Sequence, residues 1–300
     1  MTSQPTVKNW LSIGARGVIW GATFMVVSIA LTGYGPLTVA CARTTLGAAA
    51  LLALMWLMRR PLPDFTPRMC RYLLLIGLLN TALPFALLSW GQQFVPSAFA
   101  GISMAALPLF VLPLAHLFTD EKLTQRNLAG VCLGFVGAVI LIGPGVLRLG
   151  TGTAPWGQLA CLAAALSYAV SSIMTRRCPP IDPITMSALL LLVGSAALIP
   201  AMLWIEGIPH LADTRATTAI IALGLLPTAL AALIRVVTIR TAGSVFMTLV
   251  NYQVPVWSML FGAWILQEML PLRFFAALAL ILLGLAISQW SSLVRLFRPE

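Results

Sequence analysis

Apolar residues in this chain come in long unbroken runs separated by short polar stretches. Crossing a hydrocarbon layer of about 30 Å takes a helix of about 20 apolar residues. Ten runs meet that length: 11–32, 36–58, 71–94, 97–118, 127–146, 155–175, 184–204, 216–238, 242–264 and 271–293. The links between them are short, so consecutive helices run antiparallel. The pattern predicts an all-α membrane protein with ten transmembrane helices. The first run has no small-residue cleavage site and reads as a retained helix, not a signal peptide.

Charge sets the expected orientation. With the N-terminus in the cytoplasm, fourteen Lys and Arg fall on the cytoplasmic side, and only Arg43, Arg148, Arg215 and Arg273 on the other. Basic residues are retained on the cytoplasmic side of short loops. Both termini are therefore expected inside, with the chain in the inner cell membrane. Trp10, Trp56, Trp90, Trp156, Trp204, Trp264 and Trp290 fall near span ends and read as interfacial anchors. Trp20 and Trp257 lie well within their spans.

Composition narrows the classes. Hydrophobic residues make up 60% of the 300 and charged residues 9%, too few to cover a soluble surface. The net charge of +10 is spread over short loops, without the basic patch and interleaved aromatics of a nucleic-acid binder. No nucleic-acid partner is expected; the expected partners are a lipid bilayer and a small-molecule substrate. The five cysteines show no metal-ligand spacing, so neither zinc nor disulfides are expected. No cofactor is implied. Two histidines, no carboxylate cluster and no nucleophile constellation argue against an enzyme.

The chain repeats itself. A shift of 147 residues aligns the two halves without a gap from Gly77 to Ile142. Gly77-Leu78-Leu79-Asn80-Thr81-Ala82-Leu83 meets Gly224-Leu225-Leu226-Pro227-Thr228-Ala229-Leu230. Pro108 meets Pro255, Glu121 meets Glu268, and Gly137 meets Gly284. Two halves of five spans each, 11–147 and 152–293, would enter the bilayer in opposite senses. Inverted repeats of this kind set a binding site near the midplane between the halves and serve alternating access.

Trp20-Gly21 in the first span, and a Pro followed 13 residues later by Glu in each half, resemble the EamA-type exporters of the drug/metabolite transporter superfamily. Within it, the chain is most similar to the bacterial aromatic amino acid exporters. The resemblance covers nearly the whole chain. It implies a basket in which spans 1, 3, 4, 6, 8 and 9 surround a central cavity.

Candidate site residues follow from what is unusual within an apolar run. Asn80, Asn251 and Gln253 carry amides whose burial is costly unless paired. They line a cavity or bond between helices. Trp20, Tyr168, Tyr252 and Trp257 need a polar partner away from the interface. Phe24, Phe85 and Phe99 join them as substrate-facing candidates, although aromatics on membrane helices also simply pack. Pro84, Pro108, Pro227 and Pro255 each remove a backbone hydrogen bond, as a static kink or as a gate. Arg43 and Arg235 are candidate charge partners. For Arg43, snorkelling to the headgroups is the competing reading. Glu121 and Glu268, at span ends, read as caps or loop ion pairs, and Gly130 with Gly134 as a helix contact or dimer seam. A monomer and a homodimer are both open.

No Asp or Glu lies in the middle of any span. A cationic drug or polyamine usually needs such a counter-charge, and phosphorylated sugars call for more arginines than are present. An aromatic pocket with amides and hydroxyls suits a zwitterion with a hydrophobic side chain. The expected function is export of small metabolites, foremost aromatic or other neutral amino acids, by facilitated diffusion. Other amphipathic metabolites or drugs are the alternative substrates. A membrane receptor or scaffold is the non-transport alternative, and neither requires an inverted repeat.

Overall fold

The computed structural model describes residues 7–118, 124–143, 152–231, 234, 249–290 and 294. Seven helices are long and apolar enough to cross a membrane: α1 (Val7–Ala30), α2 (Pro36–Leu57), α3 (Pro67–Gly91), α4 (Ser97–Phe118), α5 (Gln125–Ile142), α6 (Ala154–Arg177) and α7 (Pro183–Ile205). Three shorter helices follow, α8 (Thr214–Leu230), α9 (Val250–Trp264) and α10 (Leu272–Ser288). Among the described residues there is no strand. Arg235, Glu121, Ser244 and Thr248 lie outside the described residues.

Helix starts follow local chemistry. The Thr66 side chain accepts from Met69 N with Pro67 behind it, and Thr124 accepts from Asn127 N. Asp182 takes the amides of Ile184 and Thr185, and Asp213 that of Ala216. Such caps satisfy amides that have no partner inside the helix. The α2 and α4 helices have no side-chain cap of their own. Each receives a carboxylate from far along the chain. Glu206, after α7, accepts from Leu37 N at 2.7 Å, Thr38 N at 2.8 Å and Thr38 Oγ at 2.7 Å. Glu268, between α9 and α10, accepts from Ser97 N at 2.7 Å and Ala98 N at 3.1 Å. The cap expected of Glu268 thus lands on the start of α4. Gln267 holds a left-handed φ of 54° just before it.

The exterior is the apolar surface that lipid solvates. Trp10, Trp56, Trp90, Trp156, Trp204, Trp264 and Trp290 are all exposed, whereas Trp20 and Trp257 are half-buried. Inside, α1 packs on α8 and α9, and α6 on α3 and α4. The α2–α7, α4–α9 and α5–α10 pairs complete the frame, with α8 against α2 and α3 against α7. Among these main pairs, moving every label by five places returns the same set. Gly130 and Gly137 face the α10 backbone, and Gly134 meets Leu109 as well as Gly284. These glycines serve a contact within the chain, which leaves no free small-residue seam there for a second copy.

The four prolines bend the frame in different ways. Residues Leu78–Ala82 of α3 and Leu225–Leu230 of α8 form π-turns, in which the amides of Leu83 and Ala231 reach back five residues to Leu78 and Leu226. Pro84 follows the first π-turn and Pro227 lies within the second. At Pro108 the α4 ladder breaks outright, at Ala106. Pro255 sits inside an unbroken α9.

Candidate functional site

Two π-turns wind one residue too many per turn and turn carbonyls away from the helix axis. Such turns frequently mark functional sites. Each is met by a side chain from a helix across the bundle. Ser167 Oγ on α6 donates to Leu79 O at 2.7 Å. Pro84, five residues after Leu79, has no N–H to offer that carbonyl in the π register, and the serine supplies the missing donor. On the other side, Trp20 Nε1 on α1 donates to Pro227 O at 3.1 Å. Thr81 and Thr228 bind further carbonyls, Oγ of Thr81 donating to Gly77 O and Leu190 O, and Oγ of Thr228 to Leu223 O.

Most candidate residues fall into two groups. In the first, the Arg43 guanidinium of α2 lies over the Phe85 ring of α3, its central carbon 3.9 Å from the ring centroid. Tyr168 of α6 packs against the same side-chain cluster as Phe85. Arg43 and Tyr168 are both half-buried. Asn80 Oδ1 accepts from Ser171 Oγ at 3.1 Å, and Ser171 also donates to Tyr168 O. The Trp20 ring lies under the Arg16 guanidinium at 4.1 Å. Arg43 therefore turns inward and not out to the headgroups. Its helix, α2, is outside the set that the family resemblance assigns to the cavity.

In the second group, Gln253 and Trp257 are one turn apart on α9 and press against Gly17 and Gly21, one turn apart on α1. A Cβ at Gly17 would come 2.8 Å from Gln253 Cβ, so these glycines are what lets the two helices close up. Trp257 also stacks on Phe261 at 5.7 Å. Asn251 is half-buried and forms no hydrogen bond among the described residues. The Tyr252 hydroxyl is buried without a partner among them.

Two candidates are placed elsewhere. Phe99 is 1% exposed and packs on Phe274 with ring centroids 6.0 Å apart, in the core between α4 and α10. Phe24 is buried in the same core cluster, close to Gly101. Both are packed among apolar side chains of that cluster. Sequence reasoning passed over Ser167, Ser171 and Glu206. The two serines are one turn apart and flank Tyr168, a spacing that puts their hydroxyls on one face of α6. Among the described residues no group of His, Cys, Asp or Glu could hold a metal ion.

Helices that are apolar outside and turn amides, hydroxyls and a guanidinium inward define a multi-pass membrane protein. The EamA-like transporter family model matches residues 10–143 and again 155–290. The chain belongs to the EamA-like transporter family. It is 24% identical over 287 residues to the uncharacterized transporter YoaV of Bacillus subtilis, covering 95% of this chain and 98% of that one. A probable amino-acid metabolite efflux pump of Salmonella typhimurium is 29% identical over 207 residues, 67% of this chain and 65% of that one. A crystal structure superposes with a TM-score of 0.67 at 20% identity, over 95% of this chain and 98% of its own, a likeness of fold.

Proposed function

We propose that this protein exports small zwitterionic metabolites, foremost aromatic or other neutral amino acids, across the inner cell membrane. The proposed architecture is ten helices in two inverted halves, residues 11–147 and 152–293, with both termini in the cytoplasm. The carrying observation is the paired π-turns. A shift of 147 residues lays Leu78–Ala82 onto the start of Leu225–Leu230, and each turn is held by a donor from the opposite half. The exchange of helix pairs on moving each label by five supports the same reading. Alternating access needs two such elements, one bending for each side. Substrate contacts are assigned to Trp20, Asn80, Phe85, Tyr168, Asn251, Tyr252, Gln253 and Trp257, and bending to Pro84, Pro108, Pro227 and Pro255. The amino-acid class draws support from the efflux pump of Salmonella typhimurium and from the aromatic ring beneath Arg43.

All described acids lie at helix ends or in loops, so no carboxylate is available at mid-depth to exchange a proton. Facilitated diffusion follows from that. Purified protein in liposomes preloaded with unlabelled tryptophan should accumulate labelled tryptophan and phenylalanine by counterflow with no imposed ion gradient. Absence of counterflow for every amino acid tried removes the substrate class. A strict need for a proton or sodium gradient removes the mechanism.

A further inference from the structure

Arg43 is the eighth residue of α2, about 10 Å below the start of that helix at 1.5 Å per residue. A guanidinium at this depth in a bilayer is costly and needs a partner. Among the described residues it has no ion pair and no hydrogen bond, and its Nε is buried. Glu206, the acid beside α2, is committed to the amides of Leu37 and Thr38 and to the Thr38 hydroxyl. The Phe85 ring supports the flat face of the guanidinium at 3.9 Å. Stacking takes the face and leaves the edge, where the N–H groups point. Tyr168 packs against the same cluster as Phe85, and its hydroxyl likewise has no hydrogen bond among the described residues. A forked set of donors held flat on an aromatic shelf matches the two oxygens of a carboxylate.

We propose that Arg43 is the carboxylate anchor of the transport site, held in plane by Phe85, and that it selects small organic acids and zwitterions against the corresponding amides and amines. The inference rests on the exporter reading and adds which end of the substrate is recognised and by what. Arrival of the substrate carboxylate neutralises a charge that no described residue pairs with. Conserving the positive charge alone is not enough, because a lysine ammonium cannot present two parallel donors.

Binding, measured separately from transport, tests this. Purified protein in lipid nanodiscs is titrated calorimetrically with tryptophan, tryptophanamide, 3-phenylpropanoate and 3-phenylpropanamide. The wild type should bind each acid about tenfold to a hundredfold more tightly than its amide, the range expected for hydrogen bonds to a charged group. Arg43→Gln should erase that preference by weakening the acids while leaving the amides as they were. Arg43→Lys should restore only part of it. Phe85→Leu, which keeps the charge and removes the shelf, should lower the preference several-fold and gives a second reading if Arg43→Gln does not fold. Equal or undetectable binding of acids and amides by the wild type overturns the proposal, as does an Arg43→Gln protein that keeps the preference. Acid selectivity through Arg43 without amino-acid counterflow would instead retain the anchor and reject the substrate class.

Discussion

Trp20 shows how much one atom can hold. Its indole N–H donates to Pro227 O, a carbonyl of the α8 π-turn, and its ring lies beneath Arg16. Trp20→Phe keeps an aromatic ring and removes the donor together with part of the ring system. Pro227 is half-buried, and leaving its carbonyl unsatisfied costs up to about 1–3 kcal/mol, the figure for a fully buried group. The variant should therefore unfold at a temperature several degrees lower in detergent, read by the loss of helical circular dichroism on heating. An unchanged midpoint would mean that water replaces the indole without cost. At this scale the sequence was readable where a residue is out of place in an apolar run. Arg43, Trp20 and Asn80 stand out for that reason, and the structure puts Arg43 on Phe85 and Asn80 on Ser171. Phe99 was not separable from them, since a phenylalanine that packs and one that lines a cavity look alike in sequence. Ser167 and Ser171 were silent, because a serine becomes informative only when the carbonyl or amide it serves is known.

Among elements, α5 and α10 make the closest contact. A Cβ on Gly284 would fall 2.7 Å from the Gly134 backbone nitrogen and against the Gly130 carbonyl. Backbone atoms on both sides cannot yield as a flexible side chain does, so Gly284→Ala should push α10 off α5. Overpacking of this kind costs about 1–3 kcal/mol. Its thermal midpoint should drop, while Gly14→Ala, which meets nothing within 4 Å, should not change it. Span positions were readable from hydropathy, while the caps at Thr66, Asp182 and Asp213 emerged only with the structure. The π-turns were not. A proline announces a lost hydrogen bond, but whether the helix kinks, breaks or winds wider depends on who takes the freed carbonyl. Ser167 takes it for α3, and that partner is 88 residues away.

For the whole molecule, orientation is the open quantity, resting on the count of basic residues. Gly152 and Asp64 are both exposed and lie in opposite sets of connections. In a cysteine-free background, Gly152→Cys should react with a membrane-impermeant maleimide added to intact cells and Asp64→Cys should react only after lysis. The reverse pattern would invert the topology and the direction of export with it. The fold class was readable because so few charges leave no alternative to lipid as solvent. The repeat that the family model matches twice was readable only where Pro, Glu and Gly coincide in both halves.

The carboxylates of Glu206 and Glu268 have a consequence for how the chain is made. Both belong to the second family match, and both close the ends of helices in the first. The α2 amides wait for a residue 169 positions later, and the α4 amides for one 171 positions later. At about 5–20 residues per second, a ribosome needs roughly 10–30 s to deliver each. During that interval α2 and α4 stand in the bilayer with open ends, held by water and headgroups. Biogenesis of this protein therefore passes through a half-made bundle that is inserted but not yet locked. The last helices to leave the ribosome finish the first ones.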